Sequence, residues 1–285
     1  MIDFHVHSTA SDGTVSPSDV ALRGGGFYAM ALTDHDNCDG VAEFIEAGKC
    51  NGDRIRLAGI ELSVEPGDGY GEFHLLGIGI DPSNASLKRL LRSILDGRNA
   101  RNAKILERFE AIGIRIPKDE IATYAHGEIL ARPHFAQWIV DHGYSGNVKD
   151  AFASYMTPSS PPETNCYVSR YRPDPGESFD AIHAAGGIAI MAHPRYWTGD
   201  SAILRSGLER LKGRGLDGIE AIYQANEPWE TVEHVRAARE LGLCITAGSD
   251  FHGANKPAVT LGMEVDDEEA FVAPLLERIA YWRSR

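Results

Sequence analysis

Short apolar runs alternate with stretches of helical periodicity along most of the chain. The apolar runs fall at 2–6, 29–33, 56–62, 72–80, 188–192, 218–223 and 243–247, each of strand length. Between them, 17–24, 41–50, 178–185, 202–213 and 229–241 carry helical spacing. A last helix over 267–283 opens on acidic residues and ends on basic ones, the order its dipole favours. This alternation predicts an α/β fold with a mostly parallel sheet.

The rhythm breaks between 81 and 167. Leu87, Leu90, Leu91, Ile94 and Leu95, then Ile105, Leu106, Phe109 and Ile112, keep helical spacing with no convincing strand. A segment at 157–164 with three prolines and two serines marks the chain crossing back. The expected organisation is a main body of 1–80 and 168–285 with a helical insertion at 81–167.

Composition adds exclusions. The 285 residues are 43% hydrophobic and 24% charged, the balance of a globular protein with a sizeable core. No run approaches the roughly 18–20 apolar residues of a membrane helix. The first residues enter a strand without a signal-like n-region, so a cytoplasmic protein with no membrane partner is expected. The 28 Lys+Arg against 41 Asp+Glu give −13, which disfavours a basic face tracking long duplex nucleic acid. A small anionic substrate stays open where local metals or arginines overturn that field. Cys38, Cys50, Cys166 and Cys244 form no CxxC pair and read as ordinary thiols of a reducing compartment. No obligate protein partner is evident.

Histidines and carboxylates gather where strands end, the edge on which parallel α/β folds build active sites. His5 and His7 stand two apart and share one strand face, with Asp12 in the following turn. His35 and Asp36 follow the run ending at 33, and Glu61 is embedded among apolar neighbours, a costly position unless paired or metal-bound. His74 lies between large apolar residues, and His193 closes another strand. Asp250 and His252 follow the last one. Six imidazoles and three carboxylates exceed what one metal takes, and oxygen and nitrogen donors without thiolate suit Mn, Fe or Zn.

In order, FHVHSTASDGT, ALTDHDNCDG, AGIELS, FHLLG, AGGIAIMAHP and AGSDFHG resemble the motifs of the PHP (polymerase and histidinol phosphatase) family, across residues 4–253. The resemblance implies a distorted (β/α)7 TIM-like barrel binding two to three divalent ions, Mn2+ first, with Fe2+ or Zn2+ as alternatives. It further implies His5, His7, Glu61 and Asp250 on one metal, Asp12, His35 and His252 on a second, and His74, His193 and a shared Glu61 on a third.

The insertion carries a second signal. Extending its apolar stripe from Ile94 and Leu95 towards Ile105 places Arg98, Arg101 and Asn102 on the inward face, where the cations need an anionic partner. A kink at Gly97 would instead turn them to solvent. Arg132 and His134 flank Pro133 at a helix start, a further anion-binding pattern. The set resembles the branch of the family that acts on nucleoside 3′,5′-bisphosphates, which implies a helical substrate cap with Arg98, Arg101, Asn102, Arg132 and His134 on the uncleaved phosphate. His126, His142, His183 and His234 read as ordinary surface or packing residues.

The expected function is a metal-dependent phosphomonoesterase removing the 3′-phosphate of a small anionic nucleotide, a nucleoside 3′,5′-bisphosphate, with metal-activated water as nucleophile. Ser8, Ser63 and Cys38 need no catalytic role, and the acid for the leaving oxygen is His134 or Asp36. The alternatives are a 5′→3′ exoribonuclease or phosphodiesterase on short RNA, a histidinol-phosphate-type phosphatase, and a non-catalytic metal-binding protein.

Overall fold

Seven strands follow one another around the sheet in chain order in the computed structural model, which describes residues 1–67, 70–125 and 130–285. They are β1 Ile2–Asp3, β2 Ala29–Leu32, β3 Ile55–Val64, β4 Phe73–Ile78, β5 Ile188–Met191, β6 Gly218–Tyr223 and β7 Cys244–Gly248. The helices are α1 Pro17–Arg23, α2 Val41–Gly48, α3 Ala85–Ala111, α4 Lys118–Ala122, α5 Arg132–Asp141, α6 Val148–Ala151, α7 Pro175–Ala184, α8 Ser201–Arg214, α9 Pro228–Leu241 and α10 Glu268–Arg283. None of the described helices is long and apolar enough to cross a membrane.

The sheet curls until its first strand meets its last. Phe4 N donates to Ala247 O at 3.0 Å and His7 N to Phe251 O at 2.9 Å, which nearly closes a seven-stranded barrel. The ladder of the first strand is shorter than its apolar run: only Ile2 and Asp3 pair with β2, and Val6 makes an isolated bridge to Phe251. β3 changes partner along its length. Its first half runs parallel to β2 and its second half antiparallel to β4. Gly59 sits at the changeover, where an added Cβ would lie 2.7 Å from Leu32 O.

β4 runs antiparallel to both neighbours, and the other four pairs are parallel. The eight residues joining β3 to β4 are too few for the crossover of a dozen or more that a parallel pair requires. The start of β4 therefore lies beside the end of β3, so His74 shares an edge with residues from strand ends.

Residues 1–91 and 173–285 form one compact unit. Its core includes Ile2, Phe4, Ala31, Leu76, Ile78, Ile188 and Ile190, covered by Val272, Leu275 and Ile279 of α10. Fully burying one such side chain is worth about 1.5–3 kcal/mol. Asp267 caps α10 by accepting from Ala270 N, followed by Glu268 and Glu269 in the first turn and Arg283 in the last.

Residues 92–172 form the second unit, with its own core of Ile105, Phe109, Phe135, Trp138, Ile139 and Met156 among others. α3 passes through Gly97 as one helix of 27 residues. Arg98, Arg101 and Asn102 are only 6%, 4% and 6% exposed, so the solvent-facing alternative does not hold.

Candidate metal centre

The barrel unit gathers all nine sequence-derived donors at one edge. Glu61 is the hub, reaching that position because the second half of β3 turns away from β2 towards β4. Its Oε2 lies 3.3 Å from His5 Nε2, 3.2 Å from His7 Nε2 and 2.8 Å from His35 Nδ1. Its Oε1 lies 2.9 Å from His74 Nδ1 and 3.0 Å from His193 Nε2. One fully buried carboxylate thus faces five imidazoles.

The remaining donors flank this hub. Asp250 Oδ1 is 3.6 Å from His5 Nε2 and 3.3 Å from His7 Nε2. Asp12 Oδ1 is 3.8 Å from His7 Nδ1 and 3.3 Å from His252 Nε2, and its Oδ2 is 3.9 Å from His35 Nε2. Among the described residues, three groups have donor atoms close enough to share an ion: His7, Asp12, His35 and His252; His5, His7 and Glu61; and His35, Glu61 and His74. These groups overlap through His7, His35 and Glu61 and so cut across the ligand partition implied by the resemblance.

The electrostatics match a metal site. Burial alone would lower His5, but Glu220, Glu61 and Asp250 outweigh it and lift the imidazole well above its ordinary range. Burial likewise opposes His7, which Asp250 and Glu61 raise to about 9. His35 is raised against its burial by Glu61 and Asp12. Burial would push Glu61 up, yet His35, His5 and His74 hold it well below the carboxylate range, as His5 and His7 do for Asp250. Burial lowers His74 and His252, helped by neighbouring imidazoles. His7 Nδ1, His35 Nδ1, His193 Nδ1 and Glu61 Oε2 are buried without a hydrogen-bond partner among the described residues. Packed nitrogen and oxygen donors with orphaned atoms fit divalent cations, which would displace the protons that the raised His5, His7 and His35 otherwise hold.

Several supporting residues escaped the sequence reading. Asp34 accepts from Ser8 N at 2.8 Å, Ser8 Oγ at 2.7 Å and Ser11 Oγ at 2.6 Å, shaping the loop between His7 and Asp12. Asp3 accepts from Ser249 N and Oγ, His5 N and Gly262 N, binding the first strand to the end of β7. Tyr223 OH and Lys256 Nζ donate to Asp250 Oδ2 at 3.0 and 2.5 Å, leaving Oδ1 to face the histidines. Glu220, fully buried in β6, lies 3.0 Å from His5 Nδ1. A mid-strand glutamate among apolar residues was the signal read at Glu61, and it applies equally to Glu220.

Asp36 has φ of 54° and accepts from Ser63 N at 3.0 Å, which ties its carboxylate into the β2–β3 connection. His183 stacks on Trp282 at 3.6 Å and meets Asp217 at 2.7 Å, and His142 stacks on Trp138. His234 is buried, and His126 lies outside the described residues.

The helical unit holds a separate cationic cluster. Arg101 is pushed down to about 9, first by burial and then by Arg98, Arg170 and Arg132. Its Nε and Nη2 find no hydrogen-bond partner among the described residues. Asn102 Nδ2 donates to Leu130 O at 2.9 Å while its buried Oδ1 has no hydrogen-bond partner among the described residues. Arg132 reaches Met156 O at 3.3 Å and lies over the rings of Tyr167 and Phe152. His134 Nδ1 accepts from Ala131 N at 3.1 Å, which keeps a neutral ring's proton on Nε2.

The PHP domain profile matches residues 3–147. A 3′,5′-nucleoside bisphosphate phosphatase of Chromobacterium violaceum is 34% identical over 269 residues, covering 93% of this chain and 92% of the relative. A 5′-3′ exoribonuclease of Haemophilus influenzae is 32% identical over 252 residues, covering 88% and 89%. A solved structure from Bifidobacterium adolescentis, described as a candidate metal-dependent phosphoesterase, superposes with a TM-score of 0.79 at 28% identity over 97% of this chain and 96% of that one.

Proposed function

The chain belongs to the PHP family and is a metal-dependent phosphoesterase; on that footing we propose that its substrate is a nucleotide bearing two phosphates, from which it removes the 3′-phosphate of a nucleoside 3′,5′-bisphosphate. We assign the nine donors His5, His7, Asp12, His35, Glu61, His74, His193, Asp250 and His252 to two or three divalent ions, Mn2+ foremost; all but His193 and Asp250 fall in the three groups whose donor atoms lie close enough to share an ion. Bound by these donors, such ions would supply Lewis acidity at the phosphoryl oxygens and lower the pKa of water enough to make hydroxide available near neutral pH.

The chain's own residues prepare that site. His252 Nδ1 donates to Asp250 O at 2.8 Å, so its Nε2 lone pair is the one presented beside Asp12. Tyr223 and Lys256 hold Asp250 Oδ2 and orient Oδ1 towards His5 and His7. The second phosphate is assigned to Arg98, Arg101, Asn102, Arg132 and His134. The observation carrying this substrate is the buried Arg101 guanidinium, with Nε and Nη2 unpaired among the described residues and other arginines around it, a cost that a bound anion offsets.

The 32% identity to an exoribonuclease supports a second reading, stepwise hydrolysis of short 5′-phosphorylated RNA by the same donors. Incubation with Mn2+ separates the two. The bisphosphate reading expects inorganic phosphate and a nucleoside 5′-monophosphate from the bisphosphate, with a short RNA left at full length. Shortened RNA beside an untouched bisphosphate would select the nuclease.

A further inference from the structure

Glu220 is a fully buried carboxylate that belongs to none of the three donor groups, yet its hydrogen bonds among the described residues go to two ligand-bearing positions. Its Oε2 accepts from His193 N at 2.7 Å. Its Oε1 lies 3.0 Å from His5 Nδ1. His193 has φ of 25° and ψ of 64°, a conformation that a non-glycine residue keeps only when its surroundings hold it. Gly248, at the end of β7, leaves the passage for this contact. A Cβ there would stand 2.1 Å from Glu220 Oε1 and 2.4 Å from His5 Cβ.

We propose that Glu220 is a positioning residue of the metal centre, one carboxylate that fixes the ring of His5 and the backbone of His193 together. The inference rests on the metal-centre reading above. An ionised carboxylate can only accept, so it draws the His5 proton to Nδ1. The Nε2 lone pair then points at the donors, 3.1 Å from His7 Nε2, 3.3 Å from Glu61 Oε2 and 3.6 Å from Asp250 Oδ1. This is the outer partner that metal-bound imidazoles characteristically require.

Glu220→Gln discriminates because the amide has one acceptor where the carboxylate has two. The His193 N–H demands that oxygen, which turns the NH2 group towards His5 Nδ1. The ring then accepts at Nδ1 and carries its proton on Nε2, the nitrogen a metal needs free.

The test combines long-range 1H–15N correlation spectra of the His5 ring with metal titration. In the Zn2+-loaded wild-type protein, His5 is expected to be protonated at Nδ1 and metal-shifted at Nε2. Metal-free Glu220→Gln, checked for cooperative thermal unfolding, should show Nε2-protonated His5 and bind Zn2+ and Mn2+ roughly 10- to 100-fold more weakly. A folded variant with wild-type affinity, or a wild-type His5 without its Nδ1 proton, would overturn the inference. The wild-type spectrum decides it even if the variant does not fold. A wild-type protein that binds neither metal would overturn the metal centre itself, a separate result.

Discussion

Glu61 Oε1 lies 2.9 Å from His74 Nδ1 across a strand pair in which Glu61 is registered with Leu76 and His74 with Ser63. This diagonal contact exists because β4 runs against its neighbours. In a parallel strand, the second residue would lie at the opposite edge of the barrel.

The two residues have unequal reach, and their removal should differ accordingly. Glu61 faces five imidazoles, whereas His74 belongs to one donor group. Glu61→Gln is expected to empty the centre of bound metal and lower phosphate release by at least about 100-fold. His74→Ala should lose one ion and keep the others. Elemental analysis per chain checks both, and wild-type stoichiometry in Glu61→Gln would contradict the hub assignment.

Metal binding should depend on pH with a defined sign. His7 is raised to about 9, so the metal-free protein holds that proton at neutral pH, and a metal must displace it. Apparent Mn2+ affinity should therefore climb from pH 7 and flatten near 9. Calorimetry at pH 7 in buffers of different ionisation enthalpy should detect proton release. A flat affinity between pH 7 and 9 would contradict this.

The same shift governs stability without metal. A folded pKa above the unfolded value of about 6.5 gives stability that is complete below 6.5 and is lost as pH rises through the folded value. His5 and His35 are raised in the same direction as His7. The metal-free protein should thus lose Tm between about pH 6.5 and 9, and the metal-loaded protein should lose much less. Equal pH slopes in the two forms would count against the shifts.

Strand-end histidines were legible because each chemical type stands out against an apolar run, as at His193 after Ile188–Met191. The direction of β4 was not, since an apolar run has no polarity of its own. Glu220 was overlooked because its value lies in what it touches: a glutamate in Gly218–Tyr223 identifies no partner until β6 is set between β5 and β7, where His193 follows β5 and His5 reaches across Gly248. Lys256 and Tyr223 were invisible for the same reason, since their shared partner Asp250 is a spatial neighbour. Arg98 and Arg101 were readable as inward residues because helical spacing alone fixes a face.

The arginine cluster should act on recognition and leave the metals alone. Charge-assisted contacts to phosphate are worth roughly 1.5–3 kcal/mol, so Arg101→Ala or Arg132→Ala should lower kcat/KM for a bisphosphate about 10- to 150-fold. Metal content should stay unchanged, and a simple aryl phosphate, with no second phosphate, should be cleaved nearly as before. An equal loss on both substrates would place these arginines at the reacting phosphate.

The most direct measurement follows inorganic phosphate from adenosine 3′,5′-bisphosphate, using protein stripped with a chelator and then reloaded with Mn2+. The stripped protein should release none, and reloading should restore release with adenosine 5′-monophosphate as the product. Equal release without metal, or none after the ions are shown to have rebound, would contradict a metal-dependent bisphosphate phosphatase.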